Sequence, residues 1–213
     1  MAEQRIPDTW PPRPDLAQSG PEIPLLPLPR VFLYPHQLLP LHIFEDRYKA
    51  LMRDILDASG QLVVGTLLER RTEGGPPPVL SVAGLGEVVR YDKTDDGRYL
   101  IWVLGRGRVT IQEVPSEHPY RLVRVAPLPE TEPAEDRTER LVRQLRKAVR
   151  SRLKSKDELP EELPLEVLVD LLVQKLEAPQ SVLEAVFVEP DVEQRASLAL
   201  AAHFGFPPDS AQA

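Results

Sequence analysis

The segment LLPLHIFEDRY, residues 38–48, gathers His42, Glu45, Asp46, Arg47 and Tyr48 within seven positions. With His36 upstream, His36, His42 and Glu45 spell H-x5-H-x2-E, side-chain types that bind metal ions. Ligand histidines stand at i and i+4 of one helix, or alternate along a strand, so that both rings reach one ion. An offset of six with Pro40 between them fixes no common direction, so no metal is expected here. Glu45 and Asp46 fit instead the first turn of a helix, where the helix dipole favours negative charge. Arg47 is expected to reach a backbone carbonyl or a carboxylate across the fold. The cluster reads as a helix start with a packing role, not as catalytic machinery.

Nucleophilic and phosphate chemistry find no better footing. The four histidines, His36, His42, His118 and His203, lie near no G-x-S-x-G elbow, and the sequence contains none. Ser151 and Ser155 have lysine neighbours, but on a highly charged segment whose side chains are expected to be solvated. Gly84-x-Gly86 and Gly105-x-Gly107 run into strands rather than opening a helix, and no G-x4-G-K-[ST] follows either pair. Bulges or tight turns are expected there. The absence of cysteine removes disulfides, thiolate metal sites and a cysteine nucleophile together. No catalytic residue, metal or cofactor is assigned, and the chain is not expected to be an enzyme.

The strongest charge feature lies further on. Residues 137–156 hold nine Lys or Arg and one acid, Glu139, in a chain of net charge −7. Acids precede the run, so a helix there is acidic at its start and basic at its end, which suits the dipole. Asp136 with Arg140 and Glu139 with Arg143 make favourable i, i+4 pairs. A solvated face is therefore the leading reading. The alternative is a patch of Arg143, Arg146, Lys147 and Arg150 that binds nucleic acid or an acidic partner. No aromatic residue lies within the run to stack on bases.

These residues need elements to position them. Residues 1–21 are proline-rich and polar, unable to bury enough surface to offset their ordering entropy, and are read as a disordered arm. From residue 22 to 130 the signals are mostly β. EIPLLPLPRVFLYP is apolar but broken by prolines, which suits edge strands and turns. Strands are expected at 61–68, 80–91, 99–104, 108–114 and 120–128, with the DDG at 95–97 as a hairpin turn. YLIWVL, residues 99–104, is apolar on both faces, as in a central strand. One helix interrupts, with Phe44, Tyr48, Leu51, Met52 and Ile55 as its apolar stripe and Gly60 soon after its end. Past Pro133 the period is helical. Leu141, Leu145, Ala148, Val149 and Leu153 form one stripe. In residues 163–176, Glu166, Asp170 and Gln174 recur every fourth position, leaving a narrow wet stripe on a helix otherwise apolar. Residues 181–188 form a short helix. A last helix starts at Asp191 as N-cap, with Gln194 three residues on, and its stripe is Val192, Ala196, Ala199, Leu200 and His203. The fold class is α+β: an antiparallel pseudo-barrel with one inserted helix, then a helical bundle over 131–206 and a tail from 207. No stretch reaches the roughly 20 apolar residues that cross a bilayer, and no leader is apparent, so a cytoplasmic location is expected.

PLLPLPRVFLYPHQLLPLHIFEDRYKALMRDIL resembles the start of the amino-terminal substrate-binding domain of Lon proteases, as found in small stand-alone Lon-domain proteins. The matching residues are Pro40, Leu41, His42, Ile43, Phe44 and Glu45, followed by Arg47 and Tyr48. Within Gly105 to Val109 (GRGRV), Gly105 and Arg108 match a glycine- and arginine-bearing turn of the family, and Asp191, Val192, Glu193 and Arg195 match a later helix. These are expected to serve the fold rather than the ligand. His36 stands where the family commonly has a small residue, so the turn there is expected to differ. The resemblance implies a PUA-like pseudo-barrel with a helical bundle and a non-catalytic role in binding polypeptides. The partners it implies are unfolded or degron-bearing chains, or one dedicated protein, with no membrane. An apolar groove near the barrel–bundle junction or a free sheet edge would do the binding. The sequence ends at Ala213 without the ATPase and protease modules of full Lon enzymes, so proteolysis is not carried over. The residues that line the peptide site are not assigned.

Overall fold

A computed structural model describes residues 20–69, 75–154 and 158–207. The expected N-terminal arm up to Ser19, Ser155 and Lys156, and the tail beyond Pro207 lie outside them, as do the side chains of Glu135 and Asp136. The Asp136–Arg140 pair is therefore outside the described residues. The chain forms two compact units that divide between Leu128 and Pro129.

The first unit contains β1 (Glu22–Pro29), β2 (Leu38–Ile43), α1 (Asp46–Leu56), β3 (Gln61–Leu67), β4 (Val82–Lys93), β5 (Tyr99–Val114) and β6 (Arg121–Pro127). The strand order is β2-β5-β4-β3-β1-β6, and β5 also pairs with β6, so five strands close into a ring and β2 extends from it along β5. The sheet is mixed. All neighbours run antiparallel except β1 and β3, whose parallel pairing needs a crossover that β2 and α1 supply.

Proline placement in β1 is an accounting matter. β6 pairs with Glu22–Leu25 and β3 with Leu25–Pro29, so only Leu25 has a strand on both sides. Pro24, Pro27 and Pro29 each meet one neighbouring strand, and a missing N–H on the open side costs no ladder bond. β1 is inside the ring, not at an edge.

The 99–104 and 108–114 segments are one continuous strand, with Arg106 as an extra residue where Leu85 pairs Gly107 and Gly86 pairs Gly105. The Gly105–Arg108 stretch is thus a bulge within β5 rather than a turn between strands. This extra residue reassigns faces along β5. Val109 enters the barrel core with Leu25, Val63, Ala83, Leu85 and Val123. Tyr99, Ile101 and Val103 pack instead with Tyr48, Leu51, Met52 and Ile55 of α1. The DDG turn is as expected, with Gly97 at φ +78° and its N–H donating to Thr94 O at 2.9 Å. Asp96 accepts from Thr94 Oγ1 and Arg98, which holds its carboxyl down to about 2. Gly60, φ +70°, donates to Ile55 O at 2.8 Å and closes the end of α1.

The second unit is helical: α2 (Glu135–Arg150), α3 (Leu165–Gln174), α4 (Gln180–Val188) and α5 (Val192–Gly205). Asp191 caps α5, its Oδ1 accepting from Gln194 N at 3.0 Å, while Glu189 rather than Gln194 accepts the Asp191 N–H. The expected wet stripe on α3 is half wrong. Gln174 is exposed and Glu166 partly so, but Asp170 is buried and faces Arg195, itself 1% exposed on α5. Arg195 Nη1 and Nη2 reach the two Glu130 oxygens at 3.1 Å each, and Nε lies 3.9 Å from Asp170 Oδ1. A buried guanidinium between two carboxylates therefore ties α3, α5 and the segment before α2 together.

A second clamp sits at the far end of α5. Arg152 donates to His203 Nδ1 at 2.9 Å, to Lys175 O at 3.2 Å and to Phe206 O. His203 is an acceptor here, so it is neutral, and burial, then the nearby Arg152 charge, hold its pKa below 6.5. The unfolded chain takes up this proton more readily than the folded one. Stability is then whole above the unfolded value and falls as pH drops below it. Wild type is expected to lose more stability than His203→Gln between pH 7.5 and 5.5, read as urea midpoints. Equal losses would remove the clamp from the acid response.

Candidate functional site

The residues 38–48 do not converge on a chemical centre. Ile43 and Tyr48 are buried against α1's side of the sheet, and Leu41 is half-buried there. Phe44, expected in the helix stripe, precedes the helix and is 60% exposed, its ring tilted against His42 at 5.8 Å. Glu45 occupies the N-cap without a side-chain cap bond. Arg47 does not cross the fold: it pairs with Glu45 at 2.7 Å and lies 4.5 Å over the Tyr48 ring. His36 has φ +62° in a turn where Gln37 N donates to Tyr34 O at 3.2 Å. With Pro35 before it, His36 holds the position a glycine or asparagine usually fills. Its N–H donates to Gly105 O at 2.9 Å. Arg108 is buried in β5, its carbonyl accepting from Leu128 N at 3.1 Å.

His118 Nδ1 is 3.6 Å from Asp54 Oδ2, which also accepts from Tyr120 OH at 2.5 Å, and the two rings stack at 4.8 Å. Burial first, then the Asp54 bond, push the Tyr120 phenol far above its ordinary value. The nearby Ser116 hydroxyl donates to Tyr120 O, so this is a latch between α1 and the β5–β6 loop, with no nucleophile aimed at the imidazole. Ser151 Oγ donates to Ala148 O at the end of α2. Among the described residues no group of three or more His, Asp or Glu could hold a metal ion.

The prominent feature is a sheet face. Glu87 is the last β4 residue paired with β3, and beyond it β4, β5 and β2 continue as three strands. Side chains alternate across a sheet, so the face lined by Leu85 inside the barrel continues to Glu87. Three rows then cross it: Leu38–Leu104–Glu87, Pro40–Trp102–Arg90 and His42–Leu100–Asp92. On the other face Ile43, Val88, Tyr99, Ile101 and Val103 are buried with α1, while Tyr91 on the β4 border is 49% exposed. Leu38 and Leu100 are 53% and 40% exposed, and Trp102 and Leu104 are partly exposed. The Arg90 guanidinium lies 4.6 Å over the Trp102 ring. The result is an apolar strip of Leu38, Pro40, Leu100, Trp102 and Leu104 with a charged border on β4. Leu38 and Trp102 were outside the expected site set, although YLIWVL, apolar on both faces, carried the signal.

The edge of β2 is a weaker candidate. Gly105 N donates to Gln37 O at 2.8 Å, a phase that turns the main-chain groups of Leu38, Pro40 and His42 away from β5. Pro40 has no N–H to offer an added strand at the middle of that edge. Side chains on the face, rather than main chain at the edge, carry the recognition potential.

The basic run divides by role. Arg146 donates to Pro160 O and Glu161 O at 2.8 and 2.9 Å, Arg152 serves the α5 clamp, and Arg137 reaches Glu193 at 2.8 Å. Arg143 has only an exposed 3.4 Å pair with Glu139. Lys147 and Arg150 are exposed at the helix surface.

A family model described as the ATP-dependent protease La (LON) substrate-binding domain matches residues 22–205. The chain is 30% identical over 147 residues to a Lon protease of Desulfovibrio desulfuricans, covering 68% of this chain and 15% of that protein. It is 29% identical over 123 residues to Lon protease 2 of Syntrophobacter fumaroxidans, covering 57% of this chain and 16% of that one. The chain thus spans about a sixth of the length of these relatives. The fold is similar to the N-terminal domain of a Mycobacterium avium complex Lon protease, with TM-score 0.62, 16% identity and coverage of 85% and 97%. A Lon N-terminal domain protein from Xanthomonas campestris gives 0.61, 18%, 85% and 98%. No helix among the described residues is long and apolar enough to cross a membrane.

Proposed function

This chain belongs to the family of ATP-dependent protease La (LON) substrate-binding domains, and from that membership we propose that it binds polypeptides through the β2–β5–β4 face and catalyses no reaction itself. The observation that carries the reading is the apolar strip of Leu38, Pro40, Leu100, Trp102 and Leu104, open on a sheet whose central strand is buried on its other face by Tyr99, Ile101 and Val103. Exposed apolar area of this kind is costly in solution and is a recurrent mark of interaction sites. Its occupants are apolar side chains of an unfolded or extended segment, with Trp102 as the anchor. Tryptophan supplies the largest contact area per ordered side chain, and the Arg90 cation over its ring holds it in place. A single dedicated protein partner would use the same anchor.

The test is fluorescence anisotropy of a labelled, permanently unfolded polypeptide at about 0.05 and 0.5 M salt, conditions that leave or screen exposed charges. Binding is expected to survive high salt. Trp102→Ala is expected to weaken it by about 2 kcal/mol, roughly thirtyfold. Unimpaired binding by a folded Trp102→Ala, Leu100→Ser double variant would move the site elsewhere. No binding by the native protein in either salt would sink the general unfolded-chain reading and leave the dedicated partner.

A further inference from the structure

Four of the cations on α2 form a line along one side of the helix. Arg140, Arg143, Lys147 and Arg150 are all exposed. Their spacings of three, four and three residues put them on one side of the helix, along about 15 Å at ~1.5 Å per residue. Among the described residues Arg143 has one exposed pair, with Glu139 at 3.4 Å, and Arg140, Lys147 and Arg150 have no ion pair. The neighbouring basic residues behave otherwise: Arg137, Arg146 and Arg152 are tied to Glu193, to the carbonyls of residues 160–161 and to the α5 end. Tertiary bonding accounts for those three, whereas the other four form the solvated part of the run. Like charges three and four residues apart repel on a helix, so the line costs stability while it stays bare.

We propose that this line is a docking surface for a short acidic run in a polypeptide, separate from the apolar face of the first unit. Length and surroundings select the occupant. Residues 129–213 contain 17 Asp or Glu against 11 Lys or Arg, nine of them between 137 and 156. A short cationic line on an otherwise acidic unit attracts three or four carboxylates and repels a charge array that runs past its ends. A nucleic acid is charged at every nucleotide and meets that repulsion. The line also has no aromatic side chain on which a base could stack, whereas carboxylates on successive turns of an acidic helix, or along an extended acidic run, match its period.

The experiment measures anisotropy of labelled oligoglutamate, oligolysine and a single-stranded oligonucleotide of similar charge, at about 0.05 and 0.3 M salt. The native chain is compared with one carrying Arg140→Gln, Arg143→Gln, Lys147→Gln and Arg150→Gln, its helicity checked by circular dichroism. Oligoglutamate is expected to bind the native chain at low salt, to weaken roughly tenfold or more at the higher salt, and to weaken at least tenfold in the variant. The variant is expected to keep its affinity for the apolar unfolded probe, which separates this surface from the sheet face. No oligoglutamate binding, or binding the variant retains, overturns the proposal. Tighter binding of the oligonucleotide overturns the polypeptide assignment in favour of phosphate.

Discussion

Arg195→Met is expected to lower unfolding free energy by about 4 kcal/mol, the range for breaking a buried ion pair from one side. The guanidinium is 1% exposed, and two carboxylates face it, Glu130 at 3.1 Å and Asp170 at 3.9 Å. Methionine matches the aliphatic stem but removes the charge. Glu130, partly exposed, can turn its carboxylate to water, whereas Asp170 is 6% exposed and has to stay. Most of the cost is thus assigned to Asp170, whose buried carboxylate loses the guanidinium charge beside it. Adding Asp170→Leu to Arg195→Met should recover at least half of the loss, because an apolar pair of similar volume asks for no countercharge. Urea unfolding followed by circular dichroism of the three proteins decides it. A loss under about 1 kcal/mol for the single variant would reduce the cluster to the standing of a surface pair.

That cluster marks where sequence reasoning reaches its limit. The helix carrying Asp170 was legible from its apolar period, and the start of α5 from Asp191 three residues before Gln194. The role of Asp170 was not. A polar residue at every fourth position predicts water only if each faces solvent, and the partner that buries Asp170 stands 25 positions away on another helix. One clue was available: Arg195 is three residues after Val192 and four before Ala199, both buried, so the α5 stripe already contained a charge that needed a partner. The opposite error fell on Phe44. Its spacing to Tyr48 suits a helix stripe, but Glu45 takes the cap, and the ring before it is left outside.

The barrel was legible, but the parallel pairing of β1 with β3 and the continuity of β5 were not. Glycines at 84, 86, 105 and 107 pointed to irregularity, yet period alone cannot tell a bulge inside one strand from a turn between two. β5 therefore looked like two strands. The face proposed for binding was hidden for a related reason. Apolar residues on both sides of Tyr99–Leu104 have the same pattern in a fully buried strand as in one that leaves a side open. Register separated the two cases, by placing Leu104 opposite the last residue of β4 that β3 covers, and Trp102 and Leu100 beyond it.

Gly105→Ala is expected to cost about 3 kcal/mol, the upper end for forcing atoms into a packed site. A Cβ built at Gly105 meets Tyr34 O at 1.9 Å and Tyr34 C at 2.9 Å, both main-chain atoms with no rotamer to yield. Nor can the Tyr34–Gln37 turn lift away cheaply. It is pinned by Gly105 N to Gln37 O at 2.8 Å and His36 N to Gly105 O at 2.9 Å, so relief of the clash breaks two main-chain bonds. The same turn lies against Gly84, where a Cβ would meet Leu33 O at 2.3 Å, which leaves the segment no slack on that side. Gly97→Ala is the control. Its φ of +78° disfavours a side chain by about 1–2 kcal/mol, but nothing lies within 4 Å of the added carbon. Thermal unfolding of the two variants separates close approach from backbone strain: Gly105→Ala should be clearly the worse. It should also weaken binding of an unfolded polypeptide, since the turn leads directly into β2 and fixes where Leu38 and Pro40 lie beside Trp102. A Gly105→Ala protein no less stable than Gly97→Ala would show that the turn does not rest on β5 as described.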